Sequence, residues 1–110
     1  MEISEVQLEA LKQYLAYRKQ NQVEECLSMM SPEIVLVSQR DGTFRGHSEL
    51  KQYLTNNPYQ GTWDQPYWSE TDDSIRVDGV VTIFFFDVSV KILIKLDQSN
   101  LIEHIYIGKA

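Results

Sequence analysis

A chain of 110 residues is one domain's worth, and at 43% hydrophobic it can build a single core without disulfides or a metal. Sixteen acidic against ten basic residues leave a net charge of −6, which opposes phosphate backbones and anionic bilayers, so neither a nucleic-acid nor a membrane partner is expected. The single cysteine, Cys26, excludes an intramolecular disulfide and any multi-cysteine zinc site.

The start, Met1-Glu2-Ile3-Ser4-Glu5, is acidic and lacks the basic and apolar stretches of a secretory signal. The longest apolar runs, residues 83–86 among them, fall far below the roughly 20 residues that span a bilayer, so a cytoplasmic protein is the expectation. Ser4-Glu5-Val6-Gln7 has the form of a capping box. Beyond it Ile3, Val6, Ala10, Leu11, Tyr14, Leu15 and Tyr17 recur at helical spacing and predict one broad buried face, with Glu9 on the opposite side. After Asn21, the spacing of Val23, Cys26, Leu27 and Met30 predicts a second helix, stopped by Ser31-Pro32.

Residues 33–38 are apolar and β-branched on both faces, as suits a strand covered on both sides. Asp41-Gly42 is a turn signal, Thr43-Phe44-Arg45 a short returning strand, and Gly46 the start of a third helix with Leu50, Tyr53 and Leu54 inward. The remainder reads as sheet. An aromatic-rich strand over 62–70 is followed by a turn at Thr71-Asp72-Asp73. A strand over 75–86 comes next, then one carrying Val88, Val90, Ile92, Ile94 and Leu96 on one face, and a closing strand over 101–107. Asp78-Gly79 admits two readings, a hairpin turn or a bulge within one long strand; the long strand, with a turn at Asp87, is preferred.

This order, and above all the stretch from Ser31-Pro32-Glu33-Ile34-Val35 through Phe44-Arg45-Gly46 to Leu50 and Tyr53, resembles the nuclear transport factor 2-like superfamily, which includes SnoaL-like cyclases and ketosteroid isomerases. Asn100-Leu101-Ile102-Glu103-His104 is similar to its last turn and strand. The resemblance implies a single α+β domain over residues 1–110: a cystatin-like cone, its curved antiparallel sheet wrapped around a long first helix, with three helices in all. It implies a pocket inside the cone. The sheet face left open by the helices suits a homodimer, as in the family, with Leu93 between Lys91 and Lys95 and the aromatics of residues 63–68 at the contact. It also places Tyr14 where the isomerases have an enolate-binding tyrosine, but Ser38 and Ile92 where they have two aspartates. Serine is no base for a carbon-bound proton and isoleucine donates nothing to an oxyanion, so isomerase chemistry is not expected.

The candidate ligand-binding residues are Tyr14, Trp63, Tyr67 and His104. If there is catalysis, Tyr14, His104 and Asp64 are the residues to carry it, His104 meeting Asp64 or Asp87 across the interior. Each has a plainer reading as well: Tyr14 as a core tyrosine bonded to backbone, the aromatics as packing, His104 as a structural strand residue. Asp41 and Asp87 read as turn residues and Cys26 as a small apolar one. No phosphate loop, paired-histidine motif or nucleophile elbow appears, so no cofactor and no metal is expected. The function read here is binding of an apolar small molecule rather than acid–base catalysis. The alternatives are a dimerisation or protein-interaction module, and a SnoaL-like cyclase, hydrolase or isomerase.

Overall fold

The computed structural model describes residues 2–110. Helix α1, Glu5–Lys19, starts at the capping box: Ser4 Oγ accepts from the Gln7 amide and Gln7 Oε1 accepts from the Ser4 amide. Leu11, Tyr14 and Leu15 are buried, but Val6 is 65% exposed, because it lies about 140° round the helix from Leu11, while Ile3, Gln7 and Leu8 beside it are half-buried. Helix α2, Val23–Ser28, is only six residues long. Met30 does not continue it. The Ile102 amide bonds Met29 O and draws the chain into strand β1, Met30–Ser38, with Ser31 and Pro32 inside it. Pro32, which has no amide hydrogen to give, lies where the register of β1 shifts between Met30 and Val35. Along the rest of β1 Ile34, Leu36 and Ser38 are buried and Val35 and Val37 half-buried, so one face is covered more fully than the other.

Strand β2, Gly42–Arg45, turns back on β1, and helix α3, Gly46–Asn56, buries Leu50, Tyr53 and Leu54 as expected. The aromatic stretch is not one strand. It forms β3, Gly61–Trp63, and β4, Tyr67–Ser69, separated at Asp64-Gln65-Pro66, where the proline cannot extend the hydrogen-bond ladder. Both pair with β5, Ser74–Ile83, which runs on through Gly79 without a bulge. Gly79 is needed there for space: a Cβ would lie 2.4 Å from the Trp63 ring and 2.7 Å from Thr62 O. The turn into β6, Phe86–Leu96, is at Phe84-Phe85 and not at Asp87, whose carboxylate accepts from Thr82 Oγ1 across the hairpin at 3.0 Å. Phe84, Phe85 and Phe86 project from that tip 72–97% exposed.

Strand β7, Ile102–Lys109, lies between β6 and β1, giving the order β2-β1-β7-β6-β5-β3 in a curved sheet. All pairs are antiparallel except β1–β7, which is parallel. The wholly antiparallel sheet expected from the sequence fails at that pair, because a long crossover through the intervening elements brings β7 in alongside β1 in the same direction. The core lies between the concave face and the helices, and includes Leu11, Tyr14, Leu36, Leu54, Ile92 and Ile105. Among the described residues no helix is long and apolar enough to cross a membrane.

On the outer face of the sheet, charged groups are paired internally. Asp72 accepts from Ser69 Oγ (2.7 Å), Arg76 (3.0 Å) and Lys91 (3.2 Å), while Asp78 accepts from Arg76 (2.7 Å) and the Tyr67 hydroxyl (2.8 Å). The Ser69 bond, then the Arg76 and Lys91 bonds, bring the Asp72 carboxyl down to about 2 from its ordinary 3.8. A depressed carboxylate stabilises the fold above its unfolded value and loses that contribution as pH falls through its folded value. Urea midpoints should therefore drop as pH falls from about 4 to about 2, and Asp72→Asn should flatten the curve in that window. An unchanged slope in the variant would remove Asp72 as the titrating group.

Candidate functional site

Between α1, α3 and the concave face of the sheet lies a cavity of about 460 Å3. Leu36, Val90, Ile92, Ile105 and Ile107 form its aliphatic floor. The 57–60 segment and Trp63 close one side, with the Tyr59 and Trp63 rings stacked at 4.1 Å and 16°. Val81, Ile83 and Val88, from the β5–β6 hairpin, line the approach to the phenylalanine tip.

Tyr14 is 4% exposed and lines this space. Burial pushes its hydroxyl well above the ordinary tyrosine range, against the opposing pull of Arg18, so it stays a neutral donor. No hydrogen bond joins it to another described residue, although Tyr14 packs within the core cluster. The Tyr59 hydroxyl and Trp63 Nε1 are buried without a partner among the described residues. Burial also pushes Tyr59 up to about 12.

At the end of β1 the cavity wall turns polar. Arg40 grips Asp41 with two bonds, Nε to Oδ1 at 2.8 Å and Nη2 to Oδ2 at 3.1 Å. Ser38 Oγ and the Tyr53 hydroxyl also donate to Oδ2, at 3.2 and 3.1 Å. The Arg40 bond is the main reason the Asp41 carboxyl lies below its usual value; Tyr53 and Ser38 assist, against partial burial. A carboxylate with four donors is a stable anion and a poor acceptor of a substrate proton. Ser38 and Ile92 both line the cavity, and neither supplies a carboxylate.

Of the four residues expected to bind ligand, the cavity brings together Tyr14 and Trp63 and leaves out Tyr67 and His104. Tyr67 follows the break at Pro66 and faces outward, bonded to Asp78. His104 is turned away by a bulge in β7: Lys95 pairs with His104 and Leu96 with Ile102, so Glu103 is one residue too many. Ile102 and Ile105 then point inward and His104 outward. Asp64 is exposed in the 64–66 break, and Asp87 is exposed on the β5–β6 hairpin, so neither meets His104 across the interior. Arg18, Asp41, Tyr53 and Tyr59 line the cavity without having been singled out. For Arg18 a signal existed, since it lies four residues beyond Tyr14 on the same helical face. Burial pushes the Cys26 thiol up to about 11, far from a reactive thiolate. No group of three metal-ligating side chains occurs among the described residues.

No protein-family model and no curated protein sequence matches the chain. Solved structures do match in fold. An NTF2-like protein of unknown function from Cytophaga hutchinsonii superposes with a TM-score of 0.81 at 5% identity, covering 100% of this chain and 95% of that one. A hypothetical protein from Catenulispora acidiphila with a ketosteroid isomerase-like fold, in complex with trimethylamine, scores 0.74 at 13% identity over 93% and 85%. The Orange Carotenoid Protein of Anabaena (Nostoc), binding canthaxanthin, scores 0.72 at 12% identity over 93% of this chain and 35% of that one.

Proposed function

We propose that this domain, whose fold is nuclear transport factor 2-like, encloses an apolar small molecule under α1 and binds it without acid–base chemistry. One observation carries the reading: an apolar-floored cavity of about 460 Å3 in which Asp41, the one carboxylate among the described lining residues, is already held by four donors. Its volume lies within the usual range for small-molecule sites. Two structures of the same fold carry ligands, canthaxanthin in one and trimethylamine in the other.

A thermal-shift screen of steroids, aromatic polyketide-like compounds, terpenes and fatty acids tests this. A ligand at about 100 times its Kd adds roughly 2.7 kcal/mol of stability, which in a domain of this size raises Tm by roughly ten degrees or more. Trp63→Ala should abolish the shift while circular dichroism still reports a folded chain. A screen with no hit would leave the interior as core alone.

The phenylalanine tip favours a second reading, a homodimer contact. In a two-residue hairpin the first central position with positive φ suits glycine, yet Phe84 occupies it at φ 57. An aromatic retained against turn chemistry points to a use outside the fold. Three rings at about 150–250 Å2 each, engaged reciprocally by two copies, bury roughly 900–1,500 Å2, which overlaps the lower range of stable interfaces. Light scattering at tens of micromolar should give a dimer mass that Phe85→Ser reduces to the monomer; a monomeric parent protein removes this reading.

A further inference from the structure

The charged groups that line the cavity do not cancel. They are Arg18, Arg40, Lys109 and Asp41. Arg40 and Asp41 neutralise each other through their paired bonds. Lys109 is exposed at the end of β7. Arg18, in the last turn of α1, is half-buried, and none of the described carboxylates forms an ion pair with it. In a chain of net charge −6, an inward arginine without an acidic partner is the exception. One of its five N–H groups is used, Nη2 donating to Asn57 O at 2.6 Å. That bond fixes the guanidinium at the edge of the cavity and leaves its other donors available.

The groups near Arg18 match it in kind. Tyr14 lies four residues before Arg18 on the same face of α1, and Tyr53 and Tyr59 line the same cavity. Tyr53 is engaged with Asp41. The Tyr59 hydroxyl is buried with no partner among the described residues, and no hydrogen bond joins the Tyr14 hydroxyl, which lines the cavity, to another described residue. Both are neutral, so both can donate. The cavity thus holds a fixed cation and two O–H donors, with Tyr14 on the same helical face as Arg18, above a floor of aliphatic carbon. A carboxylate has acceptors alone, two oxygens with about four lone-pair sites, and a planar fork that guanidinium fits. A neutral polar head would leave the positive charge half-desolvated and unanswered.

We propose that the molecule held in this cavity is an amphipathic acid, its carboxylate bonded by Arg18 and Tyr14 and its apolar body lying over Leu36, Ile92 and Ile105. This rests on the cavity-binding reading above and narrows it to one ligand class. The bond that Arg18 donates to Asn57 O keeps the guanidinium in place before the ligand arrives, so little ordering is needed on binding.

Isothermal titration with decanoate and 2-naphthylacetate, each beside its primary amide, separates this inference from that reading. Both acids should bind at least tenfold more tightly than their amides. Arg18→Gln, which removes the charge and keeps a polar side chain, should weaken the acids at least tenfold and leave the amides far less affected. Arg18→Lys, which keeps the charge but loses the fork, should fall between. Acids and amides binding alike, or an Arg18→Gln variant that weakens both equally, overturns the inference while cavity binding stands. Acids, amides and the neutral panel all failing to bind overturns both. If Arg18→Gln melts early, the acid-to-amide ratio in the parent protein decides alone.

Discussion

Replacing Gly61 by alanine should cost roughly 3–4 kcal/mol of folding free energy and abolish ligand binding in the cavity. Gly61 has φ +154, and a Cβ there would lie 1.9 Å from Val80 O and 2.9 Å from Val80 C and Val81 Cα. These are backbone atoms, so no rotamer change relieves the clash. Relief comes only if β3 leaves β5, giving up the pairs Gly61↔Val81, Thr62↔Val80 and Trp63↔Gly79 and the bond from Thr82 N to Gln60 O. Trp63 would leave with it, and the cavity would lose the Tyr59–Trp63 wall. The loss is bounded because β3 can detach alone from its place at the end of the sheet order. Gly42→Ala is the control: φ is +101 there, but nothing lies within 4 Å, so only the backbone strain of about 1 kcal/mol applies. Urea melts of both variants make the comparison. Equal midpoints would mean that β3 is not packed on β5 as described.

Leu11→Ala should be nearly as damaging, at about 3 kcal/mol, with Tm lowered by roughly 12–20 °C. Leu11 is fully buried in the core cluster, on the helix that roofs the sheet. Truncation removes its transfer energy and leaves a void that the helix cannot close without pulling Tyr14 and Leu15 out of place. Val6→Ala, one and a half turns earlier on the same helix, should change stability by less than about 0.5 kcal/mol, because Val6 is 65% exposed. Comparable losses from the two substitutions would contradict the seating of α1.

The contrast between Leu11 and Val6 shows what a sequence can reveal here. Periodicity gives the direction of a helical face but not how wide the covered stripe is, so Val6 at its flank and Leu11 at its centre look alike until the sheet is present. The helices were legible because their signals are local: the Ser4–Gln7 box and the inward Leu50, Tyr53 and Leu54. Strand detail was less so. A single extra residue, Glu103, reverses the face of His104, and nothing near it in the chain announces a bulge. Asp87 looked like a turn residue because aspartate often is one, whereas its partner Thr82 lies across the hairpin. The site was half legible. Tyr14 and Trp63 stand out by type and position, but Arg18 acquires its meaning from Asn57, 39 residues away, and Asp41 from Tyr53.

The single parallel pair also governs the order in which the chain can fold. Val35 pairs with His104 and Ser38 with Ile107, so close to seventy residues separate the partners. Closing a loop of that length costs roughly 4 kcal/mol of chain entropy before any contact offsets it. The β5–β6 hairpin, with its two-residue turn, faces no such barrier and can form within microseconds, and β7 can then add to β6 across the short turn at Asp97–Asn100. Structure should therefore spread from the C-terminal half toward the N-terminal half, opposite to the direction of synthesis. While the chain is still being made, β1 has only β2 beside it and its other edge open, and until β7 emerges that edge is the segment most exposed to pairing with another nascent chain.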